Sequence, residues 1–143
     1  MENQLRLGLV APVAPDQWAD AGKDQLVELV RTVEDLGLDS FWANDSLVRP
    51  RFEALTFLSA AAALTRRITL GTAALLPALR RPVQTADSVA SIDRLTEGRL
   101  VIAVGAGFPG LSEVDYAASE VPWAPALHTT RRDRGLLATT VDN

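Results

Sequence analysis

Cysteine is absent from this 143-residue chain, and histidine and methionine occur once each, as His128 and Met1. Without thiols there is no disulfide and no thiolate metal site, and one imidazole excludes a His-rich metal site. Positive charge is scarce as well. The net charge is −4 and the pI about 4.9, which argues against nucleic acid, since holding a phosphate backbone takes a clustered basic surface. The one basic cluster, Arg131, Arg132 and Arg134 around Asp133, is short and lies near the end of the sequence. There is no basic leader ahead of an apolar run and no stretch approaching the roughly 20 apolar residues of a membrane span, so the expected location is the cytoplasm.

What the chain does have is apolar residues, 48% of the total against 22% charged and 6% aromatic, a globular composition rich in small side chains. They are organised as a repeat of a short apolar strand followed by an amphipathic helix. The strands centre near Leu7, Phe41, Leu70 and Ile102, at spacings of 34, 29 and 32 residues, the length of a βα unit with its loops. The pattern predicts strands over Leu5–Ala11, Leu38–Ala43, Ile68–Leu76 and Arg99–Val104. The last is nearly continuous in apolar residues, as a parallel strand covered on both faces would be. Helices are expected from Asp24 to Gly37, from Phe52 to Thr65 and from Pro82 to about Leu95. In the third, Val83, Ala86, Val89 and Ala90 mark the apolar face. The run Ala60 to Ala63 lowers side-chain bulk on the second helix and makes it a candidate interface. Four such units are half of a (β/α)₈ TIM-type barrel. The expected fold is therefore α/β with four parallel strands over residues 1–110, followed by a less regular tail over 111–143 in which Ser112 to Ser119 forms a short helix with Ser112 and Asp115 as a capping box.

Several residues invite a functional reading. Gly105, Gly107 and Gly110 spell G-x-G-x-x-G directly after the fourth strand. A dinucleotide site would need that motif in the first βα turn with a helix starting at once, so a glycine-lined strand end is the better reading. The segment Phe41-Trp42-Ala43-Asn44-Asp45-Ser46 brings polar groups to the carboxyl end of the second strand, the edge where barrel enzymes do their chemistry. Asp45 acting as a cap and Trp42 as core residue is an equal alternative. Arg80-Arg81 before Pro82 reads either as a pair meeting an anionic group or as a solvated pair. Asp93, Arg94, Glu97 and Arg99 read as a structural ion-pair cluster, and His128 as an exposed loop residue. No Ser/His/Asp or Cys/His set can be assembled.

The order of segments resembles the N-terminal half of the luciferase-like monooxygenase superfamily. Leu36-Gly37-Leu38-Asp39-Ser40-Phe41-Trp42 running into Asp45 is similar to that family's second strand, and Ile68-Thr69-Leu70-Gly71-Thr72-Ala73 to its third. Arg81-Pro82-Val83 through Ala86, Ile92-Asp93-Arg94-Leu95-Thr96-Glu97-Gly98-Arg99-Leu100 and Val104-Gly105-Ala106-Gly107-Phe108 follow in order. The resemblance implies a (β/α)₈ barrel that uses FMN or the deazaflavin F420, with oxidation or reduction of a small organic substrate. It places Ala73, Ala74 and Leu75, with Val104, Gly105, Ala106 and Gly107, beside the cofactor ring. It also makes Asp45 and Ser46 the candidate catalytic residues, positioning substrate or polarising a carbonyl. Many deazaflavin-dependent members carry histidine where this chain has Ser46, and the family's phosphate-binding segments belong largely to the second half of the barrel. A cofactor-free protein on the same scaffold, binding an apolar small molecule or catalysing a non-redox step, is the alternative, and a non-catalytic remnant a third. Because open strand edges invite association, a homodimer or higher oligomer is expected.

Overall fold

Residues 5–12, 22–49 and 52–123 are described by a computed structural model. Four parallel strands, β1 (Gly8–Val10), β2 (Ser40–Ala43), β3 (Thr69–Leu75) and β4 (Leu100–Val104), pair in the order β1-β2-β3-β4. The intervening helices are α1 (Lys23–Asp35), α2 (Ala54–Leu64) and α3 (Pro82–Thr96), and a short α4 (Glu113–Ala118) follows the last strand. This is the expected α/β array.

Strand register explains where the core lies. Leu9, Phe41, Leu70 and Leu100 stand side by side across the sheet and point to the helices. They meet Leu26, Val30 and Val33 of α1, Phe57, Leu58 and Ala61 of α2, and Ile92 of α3. Phe41 and Phe57 pack with ring centroids 5.4 Å apart. Ala61 and Ala62 are buried within this core, so these two members of the alanine run are used inside the chain. On the opposite face the indole of Trp42 lies over Gly71 and donates from Nε1 to Ser40 Oγ at 2.9 Å. A Cβ at Gly71 would collide with that ring and come within 2.8 Å of the Val101 carbonyl, so only glycine fits.

Two side chains tie helix ends to strand starts. Glu34, at the end of α1, accepts the backbone N–H groups of Arg66, Arg67 and Ile68 at 2.7–3.2 Å. Arg99 donates to the carbonyls of Ile68 (2.6 Å) and Thr65 (3.1 Å). The expected ion-pair cluster does not form: among the described residues Asp93, Arg94, Glu97 and Arg99 make no ion pair, because Arg99 is drawn to the carbonyls where β3 begins.

Other expectations also change. β1 is shorter than Leu5–Ala11 and among the described residues pairs with β2 alone, although Ala11 N–H still bonds the Trp42 carbonyl at 2.7 Å. Among the described residues β4 is not covered on both faces; it is the other edge, with Val101 and Val104 exposed. In α3, Val83, Ala86 and Ala90 are exposed and the contact to the core is made by Val89, Ile92 and Thr96. Ser112 and Asp115 form no capping box. The Ser112 hydroxyl accepts the Phe108 N–H at 2.9 Å, and Asp115 turns away to bond a distant loop. Residues 111–123 pack onto the array: Tyr116 is buried against Leu76 and Leu79 and stacks edge-on with Trp123, centroids 4.8 Å apart. His128 and Arg131, Arg132 and Arg134 lie outside the described residues. Among the described residues no helix is long and apolar enough to cross a membrane, and no cluster of His, Cys, Asp or Glu is arranged to hold a metal.

Candidate functional site

At the carboxyl ends of β2, β3 and β4 there is a cleft of about 500 Å³, within the range of small-molecule sites. Its walls divide by chemistry. Ala73 and Ala74 from β3 and Gly105 and Gly107 from the β4 exit line it with nothing larger than a methyl group. Polar atoms come from Asn44, Asp45, Ser46 and Arg49 after β2 and from Ser112 and Asp115 beside α4. β3 carries a bulge between Thr72 and Leu75, and its Ala73–Ala74 peptide is cis. Gly105 N–H continues the ladder to the Leu75 carbonyl at 2.8 Å, which brings the two strand exits side by side. Gly107 has φ +95°, and a Cβ there would come within 2.7 Å of Ser112 Cβ, so the residue is glycine for backbone and for space.

Of the residues singled out in the sequence, Asp45, Ser46, Ala73, Ala74, Gly105 and Gly107 are brought together at this cleft. Leu75 is buried in the core, Val104 is an exposed edge residue, and the Ala106 carbonyl accepts the Tyr116 hydroxyl at 2.7 Å; none of the three lines the cleft. The G-x-G-x-x-G run opens no helix, since α4 begins only at Glu113, so the dinucleotide reading fails and the glycine-lined strand end stands.

Both Asp45 and Ser46 are engaged by partners. The Asp45 side chain is fully buried and its two oxygens receive Arg80 Nη1 and Nη2 at 2.5 and 2.7 Å, with the Leu76 N–H as a further donor at 2.8 Å. Arg80 continues to Glu53 Oε1 at 2.8 Å, while Glu53 Oε2 caps α2 through the Thr56 N–H. Thus Arg80 meets anionic groups supplied by the chain itself, and Arg81 is the solvated member of the pair. Burial works to lower the Arg80 pKa, but the carboxylates of Asp45 and Glu53 outweigh it and hold it above its ordinary value. Burial likewise pushes the Glu53 carboxyl up, and the Thr56 N–H and Arg80 outweigh that push.

The Ser46 hydroxyl donates to Asp115 Oδ1 at 2.8 Å, and the same oxygen accepts the N–H groups of Leu47 and Val48 at 2.7 and 3.2 Å. Asp115, 2% exposed, therefore shapes the loop after β2. Arg49 had no signal in the sequence reading and Asp115 was read only as half of a local cap, because neither belongs to a strand-end motif.

A second cavity of about 560 Å³ lies between α2 and α3, lined by Thr56, Ser59, Gln84 and Ser88 among others. It sits on the helical layer and away from the strand ends, so the cleft is the better candidate on chemical grounds despite its slightly smaller volume.

Parallel strands, crossover helices and a cleft at the strands' carboxyl ends define the class: part of a TIM-type barrel, with its pocket on the face where such barrels react substrates. Residues 5–131 match the model for luciferase-like monooxygenases, and the chain belongs to that family. An F420-dependent glucose-6-phosphate dehydrogenase of Amycolatopsis mediterranei is 34% identical over 108 residues, covering 71% of this chain and 32% of the relative. Monooxygenase RslO1 from Streptomyces bottropensis superimposes with a TM-score of 0.72 at 25% identity, over 87% of this chain and 39% of its own. The oxygenating constituent of 3,6-diketocamphane monooxygenase from Pseudomonas putida, solved with FMN, shares the fold at a TM-score of 0.65 and 20% identity, over 78% and 32% of the two chains. The chain thus spans about a third of the length of the curated relatives it matches.

Proposed function

We propose that the cleft holds the planar ring of a flavin or deazaflavin, FMN or F420, and that the protein serves an oxidoreductase or monooxygenase acting on a small organic substrate. The observation that carries this reading is the run of Ala73, Ala74, Gly105 and Gly107, where four positions on two adjacent strand exits present only backbone and methyl groups, flanked by Leu76 and Phe108. A flat ring needs such a wall, and any larger side chain at these four positions would fill the space.

The neighbouring polar atoms fit a ring that carries both donors and acceptors. The Gly107 N–H has no partner among the described residues and is a donor for a ring carbonyl. Asn44 Nδ2 donates one of its two hydrogens to the Ala11 carbonyl at 3.2 Å, which turns the amide so that its Oδ1 remains an acceptor. Bound there, the ring would supply two-electron chemistry that these side chains lack. In this reading Asp45, tied to Arg80 and to the Leu76 N–H, positions the β3 exit, and Ser46 with Asp115 fixes the loop after β2. F420 is the first cofactor to test, because it is the one named for the Amycolatopsis relative.

Purified protein should be titrated with F420 and with FMN, following ring absorbance and fluorescence. The expected result is saturable binding of one of them that is lost in Gly107→Ala. Absence of binding of both up to about 1 mM, where binding free energy falls to roughly 4 kcal/mol, overturns the reading.

A further inference from the structure

Among the described residues Arg49 is the one cation that lines the cleft, and no carboxylate pairs with it. Arg80 is matched by Asp45 and Glu53. Arg49 makes no ion pair among the described residues, and its sole hydrogen bond runs from Nη2 to the Leu111 carbonyl at 3.3 Å, the long end of the range. A guanidinium has five N–H donors in a planar fork, so four of them are without a partner among the described residues. The side chain is half-buried and lines the cleft. Asp115 lines the same cleft but makes no ion pair with Arg49, and its Oδ1 accepts the Ser46 hydroxyl and the N–H groups of Leu47 and Val48. A half-buried guanidinium held at one corner, in a cavity of this size, has the donor geometry that matches a carboxylate or phosphate in two parallel hydrogen bonds.

We infer that Arg49 is the oxyanion-binding residue of the cleft, and that the molecule occupying the cleft carries a carboxylate or phosphate group that pairs with it. The inference deepens the ring-site reading above and rests on it for what else fills the cavity. An oxyanion of this kind has two sources, the phosphate of the cofactor or an acidic group on the substrate. In either case the anion meets an existing donor fork that no carboxylate pairs with among the described residues, which gives orientation as well as affinity.

Three measurements on the intact protein, on Arg49→Gln and on Arg49→Lys test it, with far-UV circular dichroism as the check that each is folded. The first is thermal unfolding in inorganic phosphate against chloride at equal ionic strength. Phosphate should raise the midpoint of the parent, and its apparent affinity should fall about tenfold or more in Arg49→Gln, the worth of one charge-assisted hydrogen bond. Arg49→Lys should keep part of the effect. The second and third are fluorescence titrations with FMN and with riboflavin, which lacks the phosphate. If FMN binds more tightly than riboflavin and Arg49→Gln levels the two, the oxyanion is the cofactor's. If the two bind alike in both proteins while the phosphate effect still depends on Arg49, it is the substrate's. Equal phosphate stabilisation of parent and Arg49→Gln, or none in either, overturns the inference. No phosphate effect in the parent together with a less stable Arg49→Gln also overturns it, and gives Arg49 a structural role opposite Asp115 across the cleft. The two readings fail separately: riboflavin binding without an Arg49-dependent phosphate effect leaves the ring site standing, and the converse leaves Arg49 without the ring.

Discussion

Replacing Arg80 by methionine is expected to destabilise the chain by about 4 kcal/mol, because it strands a carboxylate. The Asp45 side chain has no solvent exposure and Arg80 only 11%, so the pair is desolvated on both sides. In Arg80→Met the carboxylate keeps one donor, the Leu76 N–H. Removing one partner of a buried pair costs about 3–5 kcal/mol, chiefly as the penalty of the charge left behind. Loss of the Glu53 contact adds less than about 1 kcal/mol, since that carboxylate is 39% exposed. Asp45→Asn should cost only about 1–2 kcal/mol, because an oxygen remains for Leu76 and Arg80 keeps Glu53. The combined change Arg80→Met with Asp45→Leu should be about 2 kcal/mol more stable than Arg80→Met alone: no charge is left buried, and only the Leu76 N–H loses its acceptor. Urea unfolding followed by tryptophan fluorescence reads all three, with unchanged m-values as the check on two-state behaviour. A cost below about 1 kcal/mol for Arg80→Met, or a double variant less stable than that single one, would refute the reasoning.

Asp115→Ala should cost about 3 kcal/mol in the same assay, since a charged acceptor is withdrawn from the buried Ser46 hydroxyl and from two loop N–H groups; a cost under about 1 kcal/mol would mean the loop holds its shape unaided. Glu34→Gln should cost about 1–2 kcal/mol at neutral pH. Burial pushes the Glu34 carboxyl up, but the N–H groups of Arg67, Arg66 and Ile68 and the Arg67 charge outweigh that and hold it below its ordinary value of 4.5. A lowered carboxyl stabilises the fold above its unfolded value and loses that contribution as pH falls through the folded one, so the gap between parent and variant should close below about pH 4.5. A gap that is constant with pH contradicts this. Gly107→Ala should both destabilise, by about 1–3 kcal/mol for a side chain at φ +95°, and abolish ring binding; a variant that binds as the parent does would remove Gly107 from the site.

The strands were legible because each is a short run of apolar residues read locally, and Phe41, Leu70 and Ile102 carry that signal within a few residues. The same signal misled at β4 and α3. Val101, Val104, Val83 and Ala86 have the side chains of covered positions, yet in the described residues nothing covers them. Side-chain type reports what a position tolerates, while coverage depends on neighbours that periodicity does not name. The wall of small residues was half legible, since small residues at strand ends stand out in sequence. Its polar frame was not, because the partners are far apart: Arg80 lies 35 residues from Asp45, and Asp115 lies 69 from Ser46. Ser112 and Asp115 looked like a local cap because spacing records only near neighbours, and the stronger claim on Asp115 came from unpaired donors in another loop.

That claim sets an order of events during synthesis. The Leu47 N–H waits for an acceptor 68 residues downstream, and at about 5–20 residues per second a ribosome takes roughly 3–14 s to deliver it. By the time it arrives the residues of all four strands have been made, while the Leu47 N–H and the Ser46 hydroxyl still lack the acceptor they have in the folded chain. The residues of the sheet are thus made before the carboxylate that ties down the loop beside the cleft.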